Sequence, residues 1–353
     1  MLIEDVIKEK NIKRLMVVCG KSIEGLEIYD SLRKMDVVYF SDFEPNPHYE
    51  SVLKGIEVFN RECCDAIFAV GGGSAIDVAK CIKLFCKMDK NIDYQEQEYL
   101  DNGVLFVAMP TTAGTGSEAT SFAVIYRDGE KISIENKECI PDVVLLDSKV
   151  LKTLPLYQRK STMLDALCHA VESYWSIKST DESKRLAART IDLIIKNIDG
   201  YLGNTEDGNR CMLEAANIAG KAINITKTTA GHAMCYKITS LFGTSHGHAA
   251  ALCVKSIWPY MIENIDDCID IRGSEYLRQT LVELSKLMGG NSIEQGADIF
   301  AKIFDGLELE KPVADEKHLE ILSDSVNVER LSNHPVKLEY DIIKALYGKI
   351  LGN

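Results

Sequence analysis

The hydrophobic pattern of this chain changes period once, near residues 151–157, and that change constrains the fold more than any single motif. Upstream of it, short apolar runs alternate with helical patterns. Arg14-Leu-Met-Val-Val-Cys-Gly20, Val37-Val-Tyr-Phe40, Ala66-Ile-Phe-Ala-Val70, Val104-Leu-Phe-Val-Ala108 and Val143-Val-Leu-Leu-Asp147 read as strands, and 48–62 and 75–88 as helices. This β-α-β-α order implies a parallel sheet covered by helices. Asp128-Gly129, between two apolar-alternating runs, reads as a hairpin turn. Downstream of Pro155 the 3.6-residue period takes over, at 158–178, 181–202, 209–224 and 274–290, with few strand signals. The expected architecture is an α/β domain over 1–155 followed by an all-α domain over 156–353.

Length and charge narrow the function classes. The 353 residues suit two domains and a large core. A net charge of −13 argues against binding nucleic acid or an anionic membrane. No uninterrupted apolar run has transmembrane length, and the mixed charges of Met1-Leu-Ile-Glu-Asp-Val-Ile-Lys-Glu-Lys10 are unlike a signal peptide. The expected location is the cytoplasm. The 11 cysteines are scattered in apolar stretches, an odd number without regular spacing, which favours reduced thiols. Among them Cys168 and Cys235 sit beside candidate ligands and read as small packing residues.

Two groups of residues carry chemistry. Gly71-Gly72-Gly73-Ser74 follows a strand and opens a helix, a context in which backbone N–H groups can approach a pyrophosphate at a helix N-terminus. Asp165 and His169 lie four residues apart, on one face of a helix. A carboxylate with imidazoles suits a divalent transition metal such as Zn2+ or Fe2+, and His232 and His246 are available to complete the set.

Taken together, Gly71-Gly-Gly-Ser-Ala-Ile-Asp77-Val-Ala-Lys80, Pro110-Thr-Thr-Ala-Gly-Thr-Gly-Ser-Glu118, Asp165-Ala-Leu-Cys-His169-Ala-Val-Glu172, Gly231-His232 and Ser245-His246-Gly247 resemble the iron-containing (group III) alcohol dehydrogenase family. The resemblance runs from about residue 15 to the C-terminus, where Asn333-His-Pro335 looks like the family's late Asn-x-Pro turn. It implies the dehydroquinate synthase-like fold, with a Rossmann-like first domain binding the dinucleotide and a helical second domain holding metal and substrate. By resemblance the metal ligands are Asp165, His169, His232 and His246, and the metal is Fe2+ or Zn2+. The resemblance also places Gly71, Gly72, Gly73, Ser74, Thr111, Thr112, Thr115 and Ser117 around NADPH or NADH, with Asp77 and Lys131 nearby. The alternative reading of Asp77 is a helix-surface carboxylate. A homodimer is the family's expectation, and an exposed edge strand near the N-terminus is one means of forming it.

The chain departs from the family twice. Many members carry Asp at the end of the first strand, where it accepts hydrogen bonds from the adenosine ribose; here Gly20 is followed by Lys21 and Ser22. Removing a carboxylate and supplying a cation admits the 2′-phosphate of NADPH, unless Gly20 merely makes a turn. Many members also have a second His four residues after the His232 position, where this chain has Tyr236. Tyr236 stays open as a proton donor, a substrate contact or a core aromatic.

Residues 215–262 contain no Asp or Glu, where about seven would be expected from the chain average, while Lys221, Lys227, Lys237 and Lys255 remain. Either a buried helical hairpin or a positive field around the metal accounts for this. The segment from Lys227 to His248 looks most like the phosphonoacetaldehyde reductase branch, whose members reduce phosphonoacetaldehyde to 2-hydroxyethylphosphonate. That resemblance makes the substrate a small anionic aldehyde, with Lys227, Lys237 and His248 as candidates to hold the phosphonate. The alternatives are a broad short-chain alcohol or diol dehydrogenase, and a dehydroquinate-synthase-like lyase.

Overall fold

The computed structural model describes residues 3–326 and 331–352, which divide into two compact units at Leu154 and Pro155. In the first unit, strands β1 (Leu15–Cys19), β2 (Val37–Phe40), β3 (Ala66–Gly71), β4 (Leu105–Pro110) and β7 (Val143–Val144) form one parallel sheet in the order β2-β1-β3-β4-β7. All of β1 and β3 is buried, as expected of parallel strands covered on both faces. Helices α1 (Ile3–Lys10), α2 (Glu27–Leu32), α3 (Tyr49–Arg61) and α4 (Gly73–Phe85) complete the unit. Ile56 of α3 and Ile76, Ile82 and Phe85 of α4 pack with Met16, Val18, Ile67 and Phe106 from the sheet in one core.

Strands β5 (Phe122–Arg127) and β6 (Glu130–Glu135) form a separate antiparallel ribbon. Its turn is Asp128-Gly129, both with positive φ (53° and 81°), which matches the right-handed twist of the flanking strands. The fifth strand of the main sheet is shorter than the sequence pattern suggests. Only Val143 and Val144 pair with β4, and Leu145 adds one backbone bond to Ala108 at 2.8 Å. Asp147 then accepts from the Lys149 N–H at 3.0 Å and turns the chain into a 3-10 segment.

The regular elements of the second unit are helices, with one isolated antiparallel bridge between Cys268 and Val336 among its described residues. The unit contains α5 (Leu156–Trp175), α6 (Asp181–Leu202), α7 (Glu206–Thr226), α8 (Ala230–Phe242), α9 (His246–Glu263), α10 (Ser274–Leu287), α11 (Ile293–Gly306), α12 (Glu316–Asp324) and α13 (Tyr340–Leu351). α6 starts where Thr180 and Ser183 close a reciprocal capping box. α7 starts where Thr205 accepts from the Gly208 N–H. α5 is the axis of the unit: from Ser161 to Trp175 every residue is buried, and α6, α7, α9 and α10 pack around it. α8 and α9 form a hairpin against it, also largely buried. No helix among the described residues is long and apolar enough to cross a membrane.

All 11 cysteines are free thiols, and only Cys63 is exposed.

Candidate functional site

In the first unit the candidate cofactor residues, apart from Asp77 within α4 and Lys131 on β6, lie at or just beyond the C-terminal ends of three neighbouring strands. β3 pairs with both β1 and β4, in a register that sets Val70 opposite Cys19 and Gly71 opposite Pro110. Gly20-Lys21-Ser22, Gly71 to Ser74 and Thr111 to Ser117 therefore leave the same edge of the sheet. The chain turns from β1 outward to β2 and then back to β3, so the β1/β3 junction is the topological switch point, where open α/β sheets bind ligands. Two glycines let the loops touch. A Cβ on Gly72 would come within 3.3 Å of Thr112 Cγ2, and one on Gly73 within 3.1 Å of Thr115 Cγ2. Gly72 precedes α4 without any side-chain cap, so the first-turn N–H groups of that helix are left for another acceptor.

Asp77 is not a surface carboxylate. Its Oδ1 accepts from the Ser117 hydroxyl at 2.6 Å, and its Oδ2 accepts from the Val124 N–H at 3.0 Å, which joins α4 to the threonine-rich turn and to β5. Burial pushes its carboxyl upward against the opposing pull of Lys80, Ser117, Val124 and Lys131. Nothing in the sequence marks a role for Lys80. Its ammonium is fully buried and donates to Thr120 O, Thr120 Oγ1 and Phe122 O at 2.9, 2.9 and 2.7 Å. The polar side of α4 thus fixes the second loop of the cradle from below.

In the second unit, three of the four candidate ligands converge. Asp165 Oδ1 lies 3.4 Å from His232 Nε2 and 4.0 Å from His246 Nε2, and one donor atom from each of the three falls within 4.8 Å of the others. His169, one turn along α5 from Asp165, stands outside that group of donor atoms. Its ring stacks on His232, with centroids 4.5 Å apart and planes at 14°. Close approach of α9 to α5 depends on Gly247, where a Cβ would lie 2.1 Å from Ser161 O and 2.6 Å from Asp165 Cβ.

The most telling atoms are Asp165 Oδ1 and His232 Nε2. Both are buried, they face each other, and neither has a hydrogen-bond partner. Leaving such groups unsatisfied costs about 1–3 kcal/mol each, and a divalent cation between them satisfies both. The donor set of one carboxylate and imidazoles fits a transition metal. Burial alone would push the Asp165 carboxyl up, but His169, His232 and His246 outweigh it and hold it well below the usual range.

Glu172 orders this site, although the sequence alone marks no role for it. It lies one turn beyond His169 on α5 and is fully buried. Oε2 meets His232 Nδ1 in a short hydrogen bond. Oε1 accepts from Thr229 N at 3.0 Å, Thr229 Oγ1 at 2.6 Å and His232 N at 3.3 Å, so this carboxylate caps α8 where the Thr229 side chain does not. His232 therefore carries a hydrogen on Nδ1 and aims Nε2 at Asp165, the arrangement that metal-binding histidines adopt. Asn333 locks the approach to α8 by donating to Thr226 O at 2.7 Å and Thr228 O at 2.9 Å. The i, i+3 spacing from His169 to Glu172 was the available signal, but a lone carboxylate on a helix usually means a solvated face.

The remaining candidates are dispersed. Lys227 ends α7 with φ +59° and ψ 177°, a backbone conformation strained for any side chain. Lys237 is half-buried on α8. Tyr236 is half-buried and lies over His246, with ring centroids 5.3 Å apart. His248 is buried on α9, 3.3 Å from the Tyr157 hydroxyl, and burial pushes its imidazole down to about 4, so it is neutral near pH 7. Lys255 pairs with Asp305, which removes one of the four cations from any field at the metal site.

The family model for iron-containing alcohol dehydrogenase matches residues 2–148, and the C-terminal model of the same family matches residues 160–351. The chain belongs to the iron-containing alcohol dehydrogenase family. Its similarity to the aldehyde-alcohol dehydrogenase of Streptococcus pneumoniae serotype 4 is 32% identity over 280 residues, 72% of this chain and 31% of that protein. The chain spans about a third of the length of the first curated relatives that it matches. The phosphonoacetaldehyde reductase of Streptomyces viridochromogenes is 27% identical over 362 residues, 95% of this chain and 89% of that one. Among solved structures, the sulfoacetaldehyde reductase from Bifidobacterium kashiwanohense in complex with NAD+ shares the fold with a TM-score of 0.88 and 25% identity, covering 99% of this chain and 93% of that one.

Proposed function

We propose that this member of the iron-containing alcohol dehydrogenase family is a metal-dependent NAD(P)H oxidoreductase that reduces a small aldehyde to a primary alcohol, with phosphonoacetaldehyde as the first candidate substrate. The observation that carries the reading is the pair of orphaned atoms, Asp165 Oδ1 and His232 Nε2, beside His246 Nε2. When bound, a divalent cation supplies Lewis acidity toward a carbonyl oxygen and the nicotinamide supplies hydride.

The chain's own residues do the positioning. Asp165, His232 and His246 hold the cation, His169 completes the set beside them, and Glu172 keeps His232 Nε2 directed inward. The α4 N-terminus and the Gly72-Gly73 and Thr112–Thr115 contacts receive a diphosphate. Lys21 and Ser22, exposed after Gly20, leave room and charge for a 2′-phosphate. Tyr236 gives the proton that turns the reduced carbonyl into an alcohol, and Lys227 and Lys237 attract the anionic end of the substrate.

A second reading, a broad short-chain alcohol or diol dehydrogenase, is favoured by two observations: Lys255 is already paired and His248 is neutral, which weakens the case for an anion site. One assay separates the two. Anaerobically purified protein loaded with Fe2+ or Zn2+ is given NADPH or NADH with phosphonoacetaldehyde, propanal or lactaldehyde. A preference of about a hundredfold in kcat/KM for the phosphonate, roughly 2.7 kcal/mol of transition-state discrimination, supports the first reading. Equal or faster turnover of the neutral aldehydes leaves the dehydrogenase and discards the phosphonate.

A further inference from the structure

His246 is the most exposed of the three gathered ligands. Its side chain is 35% exposed, against 3% for Asp165 and 1% for His232. It also opens α9, directly after the Gly243-Thr244-Ser245 connection, so packing does not enclose its ring on every side. Its neighbour Cys235, fully buried on α8, was read from sequence as a small packing residue. In the structure Cys235 Sγ lies 3.3 Å from the His232 carbonyl oxygen and 3.5 Å from His246 Nδ1.

These two contacts determine each other's polarity. The carbonyl only accepts, so the single thiol hydrogen goes to it. The sulfur then offers a lone pair to His246 Nδ1, which must carry the ring hydrogen. This leaves the lone pair of His246 on Nε2, the atom that faces Asp165 Oδ1 at 4.0 Å. Tyr236, next along α8, lies across the face of the same ring at 27°. One residue of α8 thus sets the tautomer of His246 and the next limits its tilt.

We propose that Cys235 is a positioning residue of the metal site, which fixes His246 in the Nδ1–H tautomer just as Glu172 fixes His232. The proposal rests on the metal reading given under Proposed function. The two devices differ in strength: His232 is held by a carboxylate, His246 by a neutral thiol whose hydrogen bonds are weak. His246 is therefore the ligand most sensitive to what stands behind it.

The test uses the full chain with Zn2+ as the probe, its Kd measured by chelator competition, for wild type, C235A, C235S and D165A. Histidine 15N spectra of the metal-free proteins report the tautomer of His246. C235A is expected to weaken Zn2+ binding by about tenfold or more and to lose the Nδ1–H preference. C235S, which keeps a group able both to donate and to accept on the same Cβ, is expected to recover part of each. Wild-type affinity and tautomer in C235A overturn the proposal. So does an equal loss of affinity in C235A and C235S that tracks a fall in melting temperature, because that pattern belongs to packing alone. Unchanged Zn2+ binding in D165A instead removes the metal reading itself, an outcome distinct from failure at Cys235.

Discussion

Gly20 follows β1 with φ −83° and ψ 172°, ordinary extended geometry, and a Cβ there would meet nothing closer than Ser22 Oγ at 3.9 Å. Gly20 does open a turn, its carbonyl accepting from the Ile23 N–H at 3.2 Å, but neither that geometry nor packing requires glycine, so the missing carboxylate stands as a chemical difference. Gly20→Asp is expected to shift the kcat/KM ratio from NADPH toward NADH by about tenfold, equivalent to 1.4 kcal/mol; an unchanged ratio removes Gly20 from cofactor choice. A second residue-scale expectation concerns His334. It is fully buried near Trp175, neither ring nitrogen has a hydrogen-bond partner, and burial pushes its imidazole down to about 4. Below about pH 6.5 the unfolded chain binds a proton here that the folded chain refuses. Stability should therefore fall as pH drops from about 6.5 toward 4, by at most roughly 3 kcal/mol from this residue. Urea midpoints between pH 7 and 4.5 should fall less steeply in His334→Phe than in wild type, and parallel slopes would reject the assignment.

At the scale of elements, the cradle of the first unit is two loops in contact, so its binding should respond to one methyl group. Gly73→Ala presses a Cβ against Thr115 at 3.1 Å and must push the threonine turn aside. The expected result is a KM for NAD(P)H raised about tenfold, with kcat and melting temperature little changed; a fall in kcat alone would point to another role. The same scale shows what sequence reading can reach. β1 and β3 were legible because strands buried on both faces appear as unbroken apolar runs, α6 and α10 because each keeps an exposed polar stripe, and α5 because its polar residues recur at helical spacing although they are buried. The α8–α9 hairpin showed no periodicity because so little of it faces solvent, and only its lack of carboxylates marked it as unusual. Asp165, His169, His232 and His246 were named through resemblance, and the structure gathers donor atoms of Asp165, His232 and His246 while His169 stands beside them. Glu172, Lys80 and Cys235 were not, because a carboxylate, a lysine and a thiol on helices carry no sign of burial or of partners far away in sequence.

At the scale of the whole molecule, the proposed metal site makes folding and metal binding one equilibrium, because the candidate donors come from α5, α8 and α9 and meet only when those helices are docked. A cation at 100-fold above its Kd should stabilise the helical unit by about 2.7 kcal/mol, raising its melting temperature by roughly 5–10 °C. Chelation should reverse the shift, and Asp165→Ala should abolish it. A melting temperature indifferent to Zn2+, Fe2+ and chelator alike would mean that the donors do not act together. Asp165 and His246 also stand at the two ends of a stretch that contains α6 and α7, and neither of those helices contributes a ligand. A cation gripped at both ends clasps that stretch into a closed loop, with less freedom to open than the same chain untied. Amide hydrogens of α6 and α7 should then exchange more slowly in the loaded protein, so protection would spread to helices that never touch the ion.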